Sequence, residues 1–152
     1  MKIGIPKEIY PGEKRVATTP EAAAAIMKLG FSMCLESGAG LSANISDDLY
    51  QAAGVEILPD AQSVWQQSDI IMKVRAPMLS VEQGVDELAD CPSGKCLISF
   101  IWPALKNAAL MEKLASLQTT VFGYGLCTTH VQSAKNGCIK LYGEYCRLSG
   151  YC

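Results

Sequence analysis

The chain has 152 residues, enough for one domain that buries roughly two thirds of the surface its unfolded form exposes. A formal charge of -2, with Lys and Arg scattered along the chain, offers no broad basic field and argues against a nucleic-acid partner. No apolar run approaches the ~20 residues of a membrane helix, because Pro103 breaks the longest candidate, Cys96 to Leu105.

The start, Met-Lys-Ile-Gly-Ile-Pro-Lys-Glu, lacks the apolar core and small-residue cleavage site of a secretory signal, so a soluble, cytoplasmic chain without direct membrane insertion is expected. Lys2 to Ile5 reads as a first strand. Thr19 can cap a helix that has Pro20 in its first turn and runs through Ala22 to Leu29, where Gly30 ends it. Phe31 to Glu36 is a second strand. Ser46 is placed as the cap of a helix through Asp47, Leu49 and Ala53, followed by a short strand from Val55 to Leu58. Asp60 opens a helix carrying Val64 and Trp65, and Asp69 to Val74 is a strongly apolar strand. A weaker helix is expected over Val81 to Ala89, then a turn at Pro92-Ser93-Gly94, a strand from Cys96 to Ile101, a helix from Pro103 to Leu117 and a strand from Thr119 to Phe122.

Alternating strands and helices imply an α/β fold, a Rossmann-like parallel sheet flanked by helices, here incomplete. Chemistry in such sheets gathers at the carboxyl ends of the strands. That singles out Pro6-Lys7-Glu8, Ser37-Gly38-Ala39-Gly40, Lys73-Val74-Arg75 and Trp102.

Gly38-Ala39-Gly40 follows a strand and looks like a dinucleotide fingerprint. A working fingerprint needs a helix that begins within the glycines, so that its amides meet the pyrophosphate. The next helix starts only near Ser46, and a tight turn is the better reading. Arg15 lies in a polar loop, where its guanidinium can bind a carboxylate in two-pronged fashion or pair with Glu8, Glu13 or a backbone carbonyl.

Seven cysteines, an odd number with no export signal, argue against a disulfide framework. His130 lies among Cys127, Cys138, Cys146 and Cys152, but gaps of 11, 8 and 6 residues fit no closed zinc site, and no metal is expected.

Gly4 to Gly30, reading Gly-Ile-Pro-Lys-Glu-Ile-Tyr-Pro-Gly-Glu-Lys-Arg-Val-Ala-Thr-Thr-Pro before an Ala-rich helix, resembles the N-terminal signature shared by alanine dehydrogenase and the alpha subunit of NAD(P) transhydrogenase. Ser99-Phe100-Ile101-Trp102-Pro103-Ala104 resembles the transhydrogenase branch. In alanine dehydrogenases the residue matching Arg15 binds the substrate carboxylate, with a lysine and a histidine as companions. Arg75 stands at the place of that lysine and Trp102 at that of the histidine. Tryptophan only donates a hydrogen bond and cannot serve as a general acid or base, so the resemblance disfavours alanine oxidation. Arg15 remains the one candidate for substrate binding, and it is more readily read as a structural partner.

The resemblance covers residues 1 to 121 and stops there. The family continues with an Ala-Met-Asp turn, Val-Pro-Arg, Ser-Arg-Ala-Gln and Asp-Ala-Leu-Ser-Ser-Met-Ala-Asn-Ile-Ala-Gly-Tyr-Arg, none of which follows Val121. A Tyr or Asn codon followed by a Gly codon, read one nucleotide later, yields only Met or Thr. Tyr124-Gly125, Asn136-Gly137 and Tyr142-Gly143 are such pairs, and each falls where the family has Met. Permitted codons recover nearly the whole motif in the shifted frame; His130 alone fails. Residues 122 to 152 are therefore expected to be a frameshifted, poorly ordered tail. The family's nicotinamide contacts would fall at Thr129, Ala134, Gly137 and Lys140, none of which can replace them.

The resemblance implies that the intact protein binds NAD(H) between this domain and a second, glycine-fingerprint domain. Hydride passes to or from NADP(H) on a beta subunit, coupled to proton translocation at the inner membrane, with a second alpha subunit in the complex. This chain is expected to be a fragment of that subunit, inactive alone, retaining no cofactor-binding and no catalytic residue. The alternatives are a fragment of an alanine dehydrogenase-type oxidoreductase and a non-catalytic module that pairs with intact subunits.

Overall fold

The computed structural model describes residues 1–80, 84–101 and 108–123. Its framework is β1 (Lys2–Ile5), α1 (Pro20–Lys28), β2 (Ser32–Glu36), α2 (Asp47–Ala52), β3 (Glu56–Leu58), α3 (Ala61–Gln67) and β4 (Ile70–Arg75). A small hairpin, β5 (Leu79–Ser80) and β6 (Val85–Asp86), leads to β7 (Cys96–Phe100), α4 (Ala108–Ser116) and β8 (Thr120–Gly123). Six strands form one parallel sheet in the order β3-β2-β1-β4-β7-β8. The chain winds outward in one direction from β1 and in the other from β4, which is the Rossmann-like arrangement, and a crevice is expected where the direction switches.

The central strands carry apolar residues on both faces because helices cover each face of the sheet. Ile3, Ile5, Met33 and Leu35 pack with Ala23 of α1 and Tyr50 of α2 on one side. Cys34, Ile71, Leu97 and Val121 pack with Val64 and Trp65 of α3 and Leu110, Met111 and Leu114 of α4 on the other. Successive residues of a strand, such as Met33 and Cys34, thus enter different cores, as a two-residue period requires.

Local chemistry sets the helix ends. The Thr19 hydroxyl accepts from the Ala22 amide, with Pro20 at the first helical position, and the Asp60 carboxylate accepts from the Ser63 amide. Ser46 holds the cap position of α2 without a side-chain hydrogen bond. Buried Tyr50 ties α2 to the segment before α1, its hydroxyl donating to the Thr18 carbonyl at 2.7 Å.

One element differs from the sequence reading. The helix expected over Val81 to Ala89 is replaced, in its described part, by β6, which pairs antiparallel with β5 in the register Leu79↔Asp86 and Ser80↔Val85. Gly84 turns at φ +65°, and the Glu87 amide closes the hairpin on the Met78 carbonyl. Tertiary anchoring wins over weak helical periodicity: Glu87 is drawn to Lys73, and Asp86 pairs with Lys113 of α4. Residues 81–83, the start of the expected final helix with Trp102, and everything from Tyr124 onward lie outside the described residues.

Gly4 is fixed by space. A Cβ there would fall 2.1 Å from Ser68 Oγ and 2.8 Å from Val64 Cγ1, so β1 can lie this close to α3 only without a side chain. Gly4→Ala should cost about 1–3 kcal/mol through overpacking, read as a lower denaturant midpoint at unchanged slope.

Candidate functional site

β1 and β4 pair only through Ile3↔Ile70 and Gly4↔Ile71, then separate at the switch point. β4 also slips against β7: Met72 pairs with Ile98 but Arg75 with Phe100, so one extra residue bulges on β4. Glu8, from the loop after β1, fills the gap. Its carboxylate accepts from the Val74 amide at 2.6 Å and the Arg75 amide at 3.3 Å.

Beside it lies the Lys73 ammonium, its side chain only 1% exposed, 3.6 Å from Glu8 and 2.6 Å from Glu87. Glu87 uses its second oxygen to accept from the Met78 amide. One buried cation thus joins the β1 loop, the bulged end of β4 and the hairpin. The two carboxylates are 4% and 10% exposed. Such a cluster persists only because each charge has hydrogen-bonding partners.

Outward from this junction, Tyr10-Pro11-Gly12-Glu13 forms a turn in which the Glu13 amide donates to the Tyr10 carbonyl at 3.0 Å. Pro at the second position and Gly at φ +81° in the third match a type II turn. The turn aims Glu13 at two arginines. Arg15 donates Nε to one Glu13 oxygen and Nη2 to the other, each at 2.7 Å, and its own amide adds a third bond at 3.1 Å. Arg75 Nε donates to the second oxygen at 2.7 Å, while its guanidinium lies 5.1 Å from the Tyr10 ring centroid. The Arg15 side chain beside Glu13 holds its carboxyl far below the usual carboxylate range, and Arg75 adds to the effect.

Arg15 therefore sits at the crevice with Glu13 as its partner. Glu8, the other acidic candidate, goes instead to the β4 backbone and Lys73. A largely apolar cavity of about 250 Å³ opens between Ala17, Met72, Lys73, Val74, Ile98, Ser99 and Phe100.

The Gly38-Ala39-Gly40 segment offers no pyrophosphate cradle. The Gly38 amide, placed where it would meet a phosphate, donates at 3.0 Å to the Asp47 carboxylate, which also accepts from the Ser37 hydroxyl. Gly40 is required by packing, since a Cβ would lie 2.6 Å from the Ile45 carbonyl oxygen. The Gly38 amide is thus committed to Asp47 and the chain at Gly40 packs against Ile45, the arrangement of a tight turn. Among the described residues no group of three or more His, Cys, Asp or Glu is arranged to hold a metal ion. Cys34, Cys91 and Cys96 are free thiols whose pKa burial raises, which makes them poor nucleophiles. His130, Thr129, Ala134, Gly137 and Lys140 lie outside the described residues.

Residues 4–136 match the family described as alanine dehydrogenase/PNT, N-terminal domain. The chain belongs to that family. It is 46% identical over 121 residues to the NAD(P) transhydrogenase subunit alpha of Cereibacter sphaeroides, covering 80% of this chain and 22% of that protein. Against the NAD(P) transhydrogenase subunit alpha of Haemophilus influenzae it is 40% identical over 121 residues, covering 80% and 22%. An alanine dehydrogenase from Methanococcus maripaludis is 36% identical over 121 residues, covering 77% and 31%. Among solved structures, a transhydrogenase from Sinorhizobium meliloti superposes with a TM-score of 0.71 at 32% identity, covering 81% of this chain and 34% of that one. An L-alanine dehydrogenase gives 0.74 at 27%, covering 82% and 32%. The chain thus spans between a fifth and a third of the length of these relatives.

This family domain places an acid-base junction at its crevice that the sequence did not single out. Glu8 and Lys73 were visible as residues at strand ends. Glu87 was hidden in a stretch read as helix.

Two outcomes test the arrangement. Lys73→Met strands two buried carboxylates and should cost about 3–5 kcal/mol in chemical denaturation; adding Glu87→Gln should recover part of that loss. The Glu13 pairing gives a pH signature. Its folded pKa is depressed, so its stabilisation is complete above the unfolded carboxylate value of about 4.3 and declines as pH falls below it. Glu13→Gln should flatten the acid side of the stability curve between about pH 4.3 and 2 relative to the parent chain.

Proposed function

We infer that this chain is the first domain of an NAD(P) transhydrogenase alpha subunit, and that alone it transfers no hydride. The observation that carries this reading is the 46% identity to a transhydrogenase alpha subunit over 121 residues, against 36% to an alanine dehydrogenase over the same length. Arg75 adds support, because it stands where alanine dehydrogenases have the companion lysine and its guanidinium is committed to Glu13 and Tyr10.

In the intact subunit, NAD(H) lies between this domain and a second domain that carries the glycine fingerprint, and hydride is exchanged with NADP(H) on a beta subunit. The complex, with a second alpha subunit, sits at the inner membrane and couples the exchange to proton translocation. No helix among the described residues is long and apolar enough to cross a membrane. The domain contributes one wall of the cleft. Its own glycine segment has the Gly38 amide occupied by Asp47, and after about Val121, although the family match runs to residue 136, the chain departs from the nicotinamide-contact motif, a departure we read as a one-nucleotide frameshift. Positioning donor and acceptor supplies much of the rate in hydride transfer, so one wall alone should provide none.

Calorimetric titration of the purified chain with NADH should show no saturable heat, and an assay with alanine and NAD should show no reduction. Saturable NADH binding at micromolar affinity would overturn the reading of an inactive fragment. Alanine-dependent NADH formation would favour the alanine dehydrogenase alternative.

A further inference from the structure

Two donors share one oxygen at the centre of the buried junction. Glu8 Oε1 accepts from the Val74 amide at 2.6 Å. Glu8 Oε2 faces both the Arg75 amide, which donates at 3.3 Å, and the Lys73 ammonium, 3.6 Å away. The ammonium lies instead within 2.6 Å of Glu87, on the hairpin side. The side chains of Lys73, Glu8 and Glu87 are 1%, 4% and 10% exposed, so water is a poor substitute for any of these partners.

What Glu8 Oε2 holds matters for the crevice. The Arg75 amide belongs to the irregular end of β4, and the guanidinium of the same residue donates Nε to Glu13 at 2.7 Å, where Arg15 also pairs. A shift of the Arg75 backbone therefore carries into the pairing of both arginines. Glu87 is itself anchored, since its second oxygen accepts from the Met78 amide at 2.6 Å. It can draw Lys73 toward the hairpin rather than follow it.

We propose that Glu87 is a positioning residue: by holding the Lys73 ammonium toward the hairpin, it leaves Glu8 Oε2 to the Arg75 amide and so sets where the crevice arginines lie. A bond between two charged groups in a water-poor site outweighs one from a neutral amide. Without the Glu87 charge, Lys73 closes on Glu8 Oε2 and the Arg75 amide loses its acceptor. Removing that charge still leaves a matched Lys73–Glu8 pair, so the fold is expected to survive. The inference goes beyond the proposed function: no nucleotide enters it or its test, and either reading can fail alone.

The experiment follows the backbone amides of Val74 and Arg75 in the purified full chain by proton–nitrogen NMR, with the Arg75 Nε–Hε resonance reporting from the crevice. In Glu87→Gln the Arg75 amide proton should move upfield and exchange about tenfold faster, the scale of one lost hydrogen bond. The Val74 amide should stay protected, and Arg75 Nε–Hε should shift. In Lys73→Met combined with Glu87→Gln the competing ammonium is gone, and the Arg75 amide should move the opposite way, downfield of the parent. Asp86→Asn loosens the hairpin by cutting its ion pair with Lys113 but leaves Lys73 and its partners intact, and it should move neither Arg75 resonance. Glu87→Asp, whose shorter reach withdraws the carboxylate from Lys73, carries the same expectation as Glu87→Gln and serves if that variant does not fold by circular dichroism. General loosening would move Val74 and Arg75 together in every variant. A folded Glu87 variant with an unmoved Arg75 amide would overturn the proposal. So would equal changes at Val74 and Arg75, or an Asp86→Asn variant that moves Arg75 as far as Glu87→Gln does.

Discussion

The Lys73 ammonium holds the working edge of this domain together. It is enclosed at the end of β4 between two carboxylates from different parts of the chain, Glu8 after β1 and Glu87 after the hairpin. A buried charge without partners would be shed as a proton or would unfold its surroundings. Because its partners are sequence-distant, satisfying Lys73 fixes where the β1 loop and the hairpin lie. Glu8 in turn accepts from the Val74 and Arg75 amides beside the β4 bulge, so the acid of the loop is seated where the strand is irregular.

From that junction outward the crevice is built in layers of decreasing burial. The Lys73 cluster is almost solvent-free, Glu13 is enclosed between arginines, and Arg15 reaches into water. A chain entering the switch point from β1 thus meets acids and bases that are already matched. At the Gly38 turn the Asp47 carboxylate likewise accepts from a backbone amide, that of Gly38.

The sheet was legible in the sequence because parallel strands buried on both faces appear as uninterrupted apolar runs, as in Ile70-Ile71-Met72 and Cys96-Leu97-Ile98. Thr19-Pro20 and Asp60 announced their helices for local reasons that survive folding. The hairpin at Leu79 to Asp86 did not announce itself, since what holds it is Lys73 and Lys113, residues far away in sequence. Likewise Ser46 holds the cap position but leaves its hydroxyl out of the helix, while Asp47 bonds backward to Gly38. Of the site, Arg15 was legible as a structural partner with Glu8, Glu13 and a backbone carbonyl all open, and the structure selects Glu13. The convergence of Arg75 on the same carboxylate was not legible, because it depends on how β4 lies beside β1.

The family is settled by similarity over residues 4–136 and by the fold; what we propose beyond it is descent from a transhydrogenase alpha subunit with the reading frame shifted after about Val121. Sequencing the gene from the Thr119 codon through and beyond that of Cys152 tests that claim most directly. The second reading frame is expected to encode Leu-Ala-Met-Asp, Val-Pro-Arg and Ser-Arg-Ala-Gln in succession and to continue into a glycine-fingerprint domain. A second frame that encodes none of these, or that closes on a stop codon within the tail, would contradict it.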